Sequence, residues 1–322
     1  MSEGSSWGWY GLCFRAMNTE VEIQLYTNTQ GAEAQDLVSD VQRMFDKAEK
    51  RLTRFDLTSE LSQLNRSAGR PQRVSSLLFD VVEAAAWAAS LTGGLFDPTL
   101  LKVMQAIGYD RSFEWIELQN QATGGSNGHT SPLPPPHPGQ YRTIGLNRIR
   151  GEITLPPDVQ LDLGGIGKGW TVDRTAEWLV GRGPFMINAG GDLYAYGTPP
   201  DRAGWCVGIM DPWQPERDIA HLQVRQRAVA TSTISRRQWR RDGRMMHHLI
   251  DPRTGQPAET DAVSVTVVAH RAALAEVYAK AALILGVDAG RAFLNDVPEV
   301  EGLFIRADGE LVFTDGFTAY LR

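Results

Sequence analysis

The residues best suited to chemistry lie in one run, Leu161-Asp-Leu-Gly-Gly-Ile-Gly-Lys-Gly-Trp-Thr-Val-Asp173. Its pattern predicts a strand carrying Asp162, then a glycine-rich turn, then a helix from Gly167 to Leu179. Glycines let a ligand come close to the backbone. A helix N-terminus behind them offers unpaired N–H groups to a phosphate. Lys168 adds a positive charge at the same place. Two familiar nucleotide fingerprints do not fit. A Walker loop needs a glycine where this chain has Asp162 and a Ser or Thr where it has Gly169. The GxGxxG dinucleotide pattern is not matched either. On its own the run reads equally as a phosphate site and as a tight strand–helix turn.

Three further segments carry polar residues beside turns. Phe185-Met-Ile-Asn-Ala-Gly-Gly-Asp192 is a strand, a glycine turn and a second strand, with Asn188 and Asp192 flanking the glycines. Buried polar groups there need partners, supplied by a ligand or by the turn itself. In Thr92-Gly-Gly-Leu-Phe-Asp-Pro-Thr99, Phe96 is placed to cover a ring and Asp97 to accept hydrogen bonds from it. A helix stop followed by a proline turn explains that segment equally well. His247-His-Leu-Ile-Asp-Pro-Arg-Thr-Gly255 puts two histidines before an Asp-Pro turn. His248 is a candidate acid–base group, because imidazole titrates near neutrality. The adjacent His247 leaves open which ring points inward.

Helical spacing of Leu37, Val41, Phe45 and Ala48 predicts a helix over 31–52, ending in basic residues that suit a C-terminus. A loop with Asp56, Thr58 and Ser59 leads into a short helix. Buried helices follow over 75–91 and 272–285. Residues 13–26 read as one strand after an N-terminal tail, 1–12. Further strands are expected around 145–155, 185–196, 205–212, 221–231, 246–252 and 262–270, with a terminal hairpin on Ala307-Asp308-Gly309. The stretch 119–140, rich in Gly, Pro, Ser and Asn, reads as a flexible insertion. Strands and helices do not alternate regularly, so the fold class is α+β. Residues 13–322 read as one catalytic unit of two lobes.

Composition narrows the function. With 42% hydrophobic and 22% charged residues in 322, the chain is an ordinary globular protein with room for a sizeable core. The net charge of -6 and the lack of a basic stripe argue against a nucleic-acid partner. The one dense basic run, Arg236, Arg237, Arg240 and Arg241, reads as a solvated helix face. Two distant cysteines, Cys13 and Cys206, exclude a disulfide framework and a thiolate zinc site. No segment approaches the ~20 apolar residues of a membrane helix. The N-terminus lacks the marks of a signal peptide, so a cytoplasmic location is expected.

The order of the motifs is more specific than any one of them. AMNTEVEI, RFDLTSELSQLN, TGGLFDPTL, LDLGGIGKGWTVD, INAGGDLYAYG, WCVGIMDP, AVATSTIS, HHLIDPRTG, SVTVVA and AEVYAKAALILG together resemble the ApbE family, the FAD:protein FMN transferases, from about residue 15 to about 288. That resemblance implies a mixed ApbE-like fold. It also implies binding of FAD with magnesium, cleavage of the pyrophosphate, and transfer of FMN to a threonine of a target flavoprotein. Met17, Phe55, Leu95, Phe96, Asp97, Asp162, Lys168 and Ile250 match FAD-contacting positions. Gly165 matches a residue whose carbonyl binds the metal, and His248 the histidine of an H-x-x-D-P motif. His248 and Lys168 are the implied catalytic pair.

The last motif departs from the family. Members typically read A-D-x-x-A-T, with the Asp and Thr side chains on the metal. Here the segment is Ala275-Glu276-Val277-Tyr278-Ala279-Lys280, so the implied metal positions are Gly165, Glu276, Ala279 and Lys280. On a helix, 276 and 280 face the same way. Lysine offers three donors and no acceptor while protonated. Three readings follow: the ammonium replaces magnesium, the metal keeps Glu276 alone, or the site binds flavin without transferring it. A second departure is Thr233, where glycine is usual after Thr-Ser. The rival functions are an FAD pyrophosphatase and a non-catalytic flavin-binding protein.

Overall fold

The computed structural model describes residues 7–113, 115–116, 138–241 and 244–322. Nearly all of the Gly/Pro-rich insertion therefore lies outside the described residues.

The chain opens with a hairpin, β1 (Gly8–Ala16) and β2 (Thr19–Thr27), paired antiparallel. One strand over 13–26 was expected, and β1 begins inside the segment read as a tail. The turn between them is Met17-Asn18, with both residues at positive φ, 51° and 58°. Two-residue hairpins need that backbone, and glycine usually signals it. Met17 gives no such signal.

Next comes α1 (Gly31–Leu52). It buries Leu37, Val38, Val41, Phe45, Ala48 and Leu52, the stripe expected from the 3.6-residue period. Each large apolar side chain so buried contributes about 1.5–3 kcal/mol. Helix α2 (Glu60–Arg66) is capped by the Ser59 hydroxyl, which accepts the Ser62 N–H at 3.0 Å. Strand β3 (Pro71–Arg73), α3 (Ser76–Leu91), α4 (Leu101–Ala106), β4 (Gly145–Asn147) and β5 (Glu152–Thr154) follow. These short strands pair in the order β3-β5-β4.

Helix α5 (Gly167–Leu179) leads to β6 (Phe185–Ala189), β7 (Asp192–Tyr196), β8 (Trp205–Met210), β9 (Asp218–Val224) and β10 (Arg227–Thr233). The last two were expected as one strand. They are joined at Arg225-Gln226, and Gln226 lies at φ 52°, a second turn without glycine. The arginine cluster is not a helix face. Its residues lie in a turn and in the two-stranded ribbon of β11 (Gln238–Arg241) and β12 (Arg244–His247). The chain closes with β13 (Ile250–Asp251), β14 (Gln256–Pro257), β15 (Ala262–Ala269), α6 (Ala272–Leu285), α7 (Val287–Asn295), β16 (Glu301–Arg306) and β17 (Leu311–Phe313).

An eight-stranded antiparallel sheet, β1-β2-β6-β7-β10-β15-β16-β17, organises these pieces. One face carries α1, α5 and α6 over a core that includes Ile23, Phe45, Ile187, Val265 and Leu283. The ribbon β8–β9 covers the other face through Trp205, Val207 and Leu222. A second core, around α2, α3 and the small sheet, meets the first at Trp170, Ala273 and Val277. The α+β class is therefore the observed one.

Helices α5 and α6 set the geometry of everything that follows. A Cβ on Gly169 would lie 2.6 Å from Ala272 backbone atoms, so only glycine allows this approach. Asp173 of α5 then caps α6, accepting the N–H groups of Ala272 at 2.7 Å and Ala273 at 3.0 Å. Burial raises the Asp173 carboxyl to about 6 despite those bonds.

Candidate functional site

A cleft of ≈ 1330 Å³ opens where the helical layer meets the sheet. It exceeds the ~300–1,000 Å³ common for small-molecule pockets, so it suits a ligand with two large ends. Its walls include Met17, Phe55, Leu95, Phe96, Asp97 and Asp162. Gly165, Lys168, His248, Ile250, Glu276 and Lys280 complete the set from the sequence-based reading. Of the expected site residues, only Ala279 is off the wall. It is fully buried in the main core, because one helical step from Lys280 turns it toward the sheet.

The floor is a quartet of charges. The Lys168 ammonium donates to Asp192 Oδ2 and, at 3.0 Å, to Glu276 Oε1. Lys280 donates to the same Glu276 Oε1 at 3.1 Å. Glu276 Oε2 accepts the Gly169 N–H at 3.0 Å. Burial alone would raise Glu276; the Lys168 and Lys280 ammoniums and the Gly169 amide overcome it and hold the carboxyl at about 2. Burial alone would likewise lower Lys168, but Asp192 and Glu276 hold it above its ordinary value. Burial, with Glu276 nearby, pushes Asp192 up against the pull of Lys168.

One side wall is built on Asp162. Its Oδ1 accepts the Gly164 N–H at 2.6 Å, which folds the glycine turn back on itself. Its Oδ2 lies 2.5 Å from Arg54 Nε. The Arg54 guanidinium sits 4.2 Å from the Phe55 ring centroid and 4.8 Å from that of Tyr109. A cation set in the corner of two edge-to-face rings and paired with a carboxylate is held firmly. Phe55 itself stays 42% exposed, leaving a ring available at the rim.

The segment Leu95-Phe96-Asp97 forms another wall. Thr92 Oγ1 accepts the Phe96 N–H at 3.1 Å and fixes the turn. Asp97 Oδ1 accepts the Thr99 N–H at 2.8 Å, while Oδ2 is buried without a well-formed partner. Burial pushes the Asp97 carboxyl up, against the Thr99 hydrogen bonds. On the sheet side, Thr231 and Thr266 share a 2.8 Å hydrogen bond and line the cleft. Thr233 has a use for its hydroxyl, donating to the Val263 carbonyl at 2.9 Å.

The two histidines separate. His247 turns away, its Nε2–H donating to the Ala258 carbonyl at 3.2 Å. His248 lines the cleft with a buried, unpartnered Nδ1. Burial, then the charges of Arg237 and Lys280, hold its pKa well below the usual imidazole value. His248 is thus a neutral ring with a lone pair at physiological pH.

Two residues of this site escape a reading of motifs, and the partner of a third is hidden. Arg54 and Tyr109 give no sign of pairing, since they meet only in the fold. Asp192 passes as a turn residue. Its conjunction with Lys168, 24 positions away, is what marks it.

Fold and cleft together define an α+β protein with a large charge-lined ligand cavity. The description "ApbE family" belongs to the family model that matches residues 17–304, and the chain belongs to that family. A protein of Treponema pallidum (strain Nichols) named FAD:protein FMN transferase is 28% identical, with 95% of this chain and 87% of that protein covered. A protein of the same name from Vibrio cholerae is 26% identical, with coverage of 94% and 88%. Among solved structures, the ApbE protein from Thermotoga maritima MSB8 matches with a TM-score of 0.82 and 24% identity, covering 98% of this chain and 100% of that one. The flavin transferase ApbE from Vibrio cholerae matches with a TM-score of 0.78 and the same identity and coverage. No helix among the described residues is long and apolar enough to cross a membrane.

Proposed function

We propose that this chain is an FAD:protein FMN transferase, moving FMN from FAD to a threonine of a target flavoprotein and releasing AMP. The observation that carries this reading is the convergence of the family-matched residues on one cleft whose floor holds two ammonium groups. Relatives carrying that name span most of the chain.

The transfer needs in-line positioning, neutralised phosphate charge and a destination for one proton. In the proposed step the threonine hydroxyl oxygen bonds to the FMN phosphorus. The bond from that phosphorus to the bridging oxygen breaks, and AMP leaves with the oxygen and its electron pair. Lys168 would neutralise phosphate charge beside the Gly164-Gly165 turn. His248, neutral and short of a partner, would take the threonine proton. Arg54, Phe55 and Asp97 would hold the ring ends.

The magnesium ion that the family implies does not fit the residues present. Both Glu276 oxygens already accept hydrogen bonds from two ammoniums and an amide. Lys280 brings a positive charge to the corner, and its stem packs over Gly165. No group of three or more His, Cys, Asp or Glu residues among the described residues could hold a metal ion.

The test is to incubate purified protein with FAD and a threonine-bearing acceptor flavoprotein domain. AMP release with stoichiometric flavin on the acceptor is expected. AMP without labelling would mark a pyrophosphatase, and FAD binding with no AMP a flavin-binding protein; either result would overturn the transferase reading.

A further inference from the structure

We propose that the Lys280 ammonium serves as the resident cation of this corner, so that FAD cleavage by this chain needs no divalent metal. This rests on the transferase reading and specifies how the pyrophosphate charge is met.

The argument starts from placement. Lys280 follows Glu276 by one helical turn of α6, and the two side chains meet at 3.1 Å. The Lys280 stem lies over the glycine turn: a Cβ on Gly165 would come within 3.3 Å of its Cε. The same Cβ would meet Phe96 Cε2 at 2.9 Å, so ring and stem crowd one face of the glycine. The ammonium is thus steered between the glycine turn and the Glu276 carboxylate.

Charge supports the assignment. Lys168, Lys280, Asp192 and Glu276 are two cations and two anions, so the quartet has no excess negative charge to draw a divalent ion. A metal beside Glu276 would also lie against two ammoniums.

Donor capacity singles out Lys280. Lys168 already pairs with two carboxylates. Glu276 is the one ion-pair partner of Lys280 among the described residues, so two of its three donors remain for phosphate oxygens. As the bridging oxygen leaves with its electron pair, a fixed ammonium offsets the growing charge.

The test uses full-length protein stripped of metal with EDTA, with FAD and the threonine-bearing acceptor domain both present. Without metal, AMP release from FAD is expected at the rate seen with added magnesium, within about twofold. A stimulation of tenfold or more by magnesium, about 1.4 kcal/mol, would overturn the inference while leaving the transferase reading intact. Lys280→Met should weaken FAD binding in EDTA by about 10–100-fold, the worth of a lost charge-assisted bond. Lys280→Arg should retain most of it. FAD affinity is read by quenching of flavin fluorescence, so this arm stands apart from turnover. Unchanged affinity in folded Lys280→Met would also overturn the inference. If that variant fails to fold, the metal dependence of the unmodified chain decides alone. Absence of AMP under every condition would instead count against the transferase reading, and the binding arm would still judge Lys280.

Discussion

The backbone of Gly169 passes so close to Ala272 that a Cβ there would sit 2.6 Å from it. Two helices from distant parts of the chain are therefore joined at a point with no room for a methyl group. That junction also places the Gly169 N–H on Glu276.

Gly169→Ala should consequently force α5 and α6 apart. Overpacking of this kind costs about 1–3 kcal/mol. The expected result is a lower urea midpoint together with weaker FAD binding, because Lys168 and Glu276 ride on the two helices. Denaturation curves and a flavin titration check both halves.

Glu276 gives a pH signature. Its folded pKa, about 2, lies below the ordinary 4.5, so its stabilising contribution is full above about pH 4.5 and is lost as the pH falls toward 2. Its contribution is on the order of 3 kcal/mol. Glu276→Gln should be less stable at neutral pH and show a shallower loss between pH 4.5 and 2. Unfolding measured across that range tests the sign. Asp173 acts in the opposite sense, because its folded pKa of about 6 lies above 3.8: stability falls as the pH rises between those values.

Arg54 holds Asp162 by a largely buried ion pair and lies against the rings of Phe55 and Tyr109. Arg54→Met leaves Asp162 without its partner. Such losses cost about 3–5 kcal/mol. Arg54→Lys should recover only part, because an ammonium cannot stack and bond in the same plane. Thermal melts of both variants provide the comparison.

His248→Gln should keep FAD affinity and lose turnover by about 10²–10⁴-fold, the usual worth of a positioned base. The wild-type rate should remain flat as the pH falls through 6.5, since burial and nearby cations hold His248 well below that value. A drop in rate centred near 6.5 would remove His248 from the base role.

Much of this architecture was legible in the residues. Helices α1, α5 and α6 announce themselves through apolar spacing and their flanking glycines. The facing of Glu276 and Lys280 follows from the helical period and is observed at 3.1 Å. The Met17-Asn18 hairpin turn and the Arg225-Gln226 connection between β9 and β10 were hidden, because Met17 and Gln226 sit at positive φ, which their residue types rarely adopt. The fold overrides local preference there, and at Met17 it does so on the cleft wall. The floor of the site was hidden for another reason. Lys168 and Glu276 are 108 positions apart, so no local pattern records their pairing.

The late position of α6 has a consequence for the growing polypeptide. Lys168 and Asp192 are synthesised well before Glu276 and Lys280, and Asp173 waits for the amides of Ala272 and Ala273. A nascent or truncated chain that ends before Ala272 carries the glycine turn, Lys168 and Asp192 without Glu276 and Lys280. Under the proposed function, such a fragment could not spend the cell's FAD. Competence to cleave the nucleotide would arrive only when α6 docks.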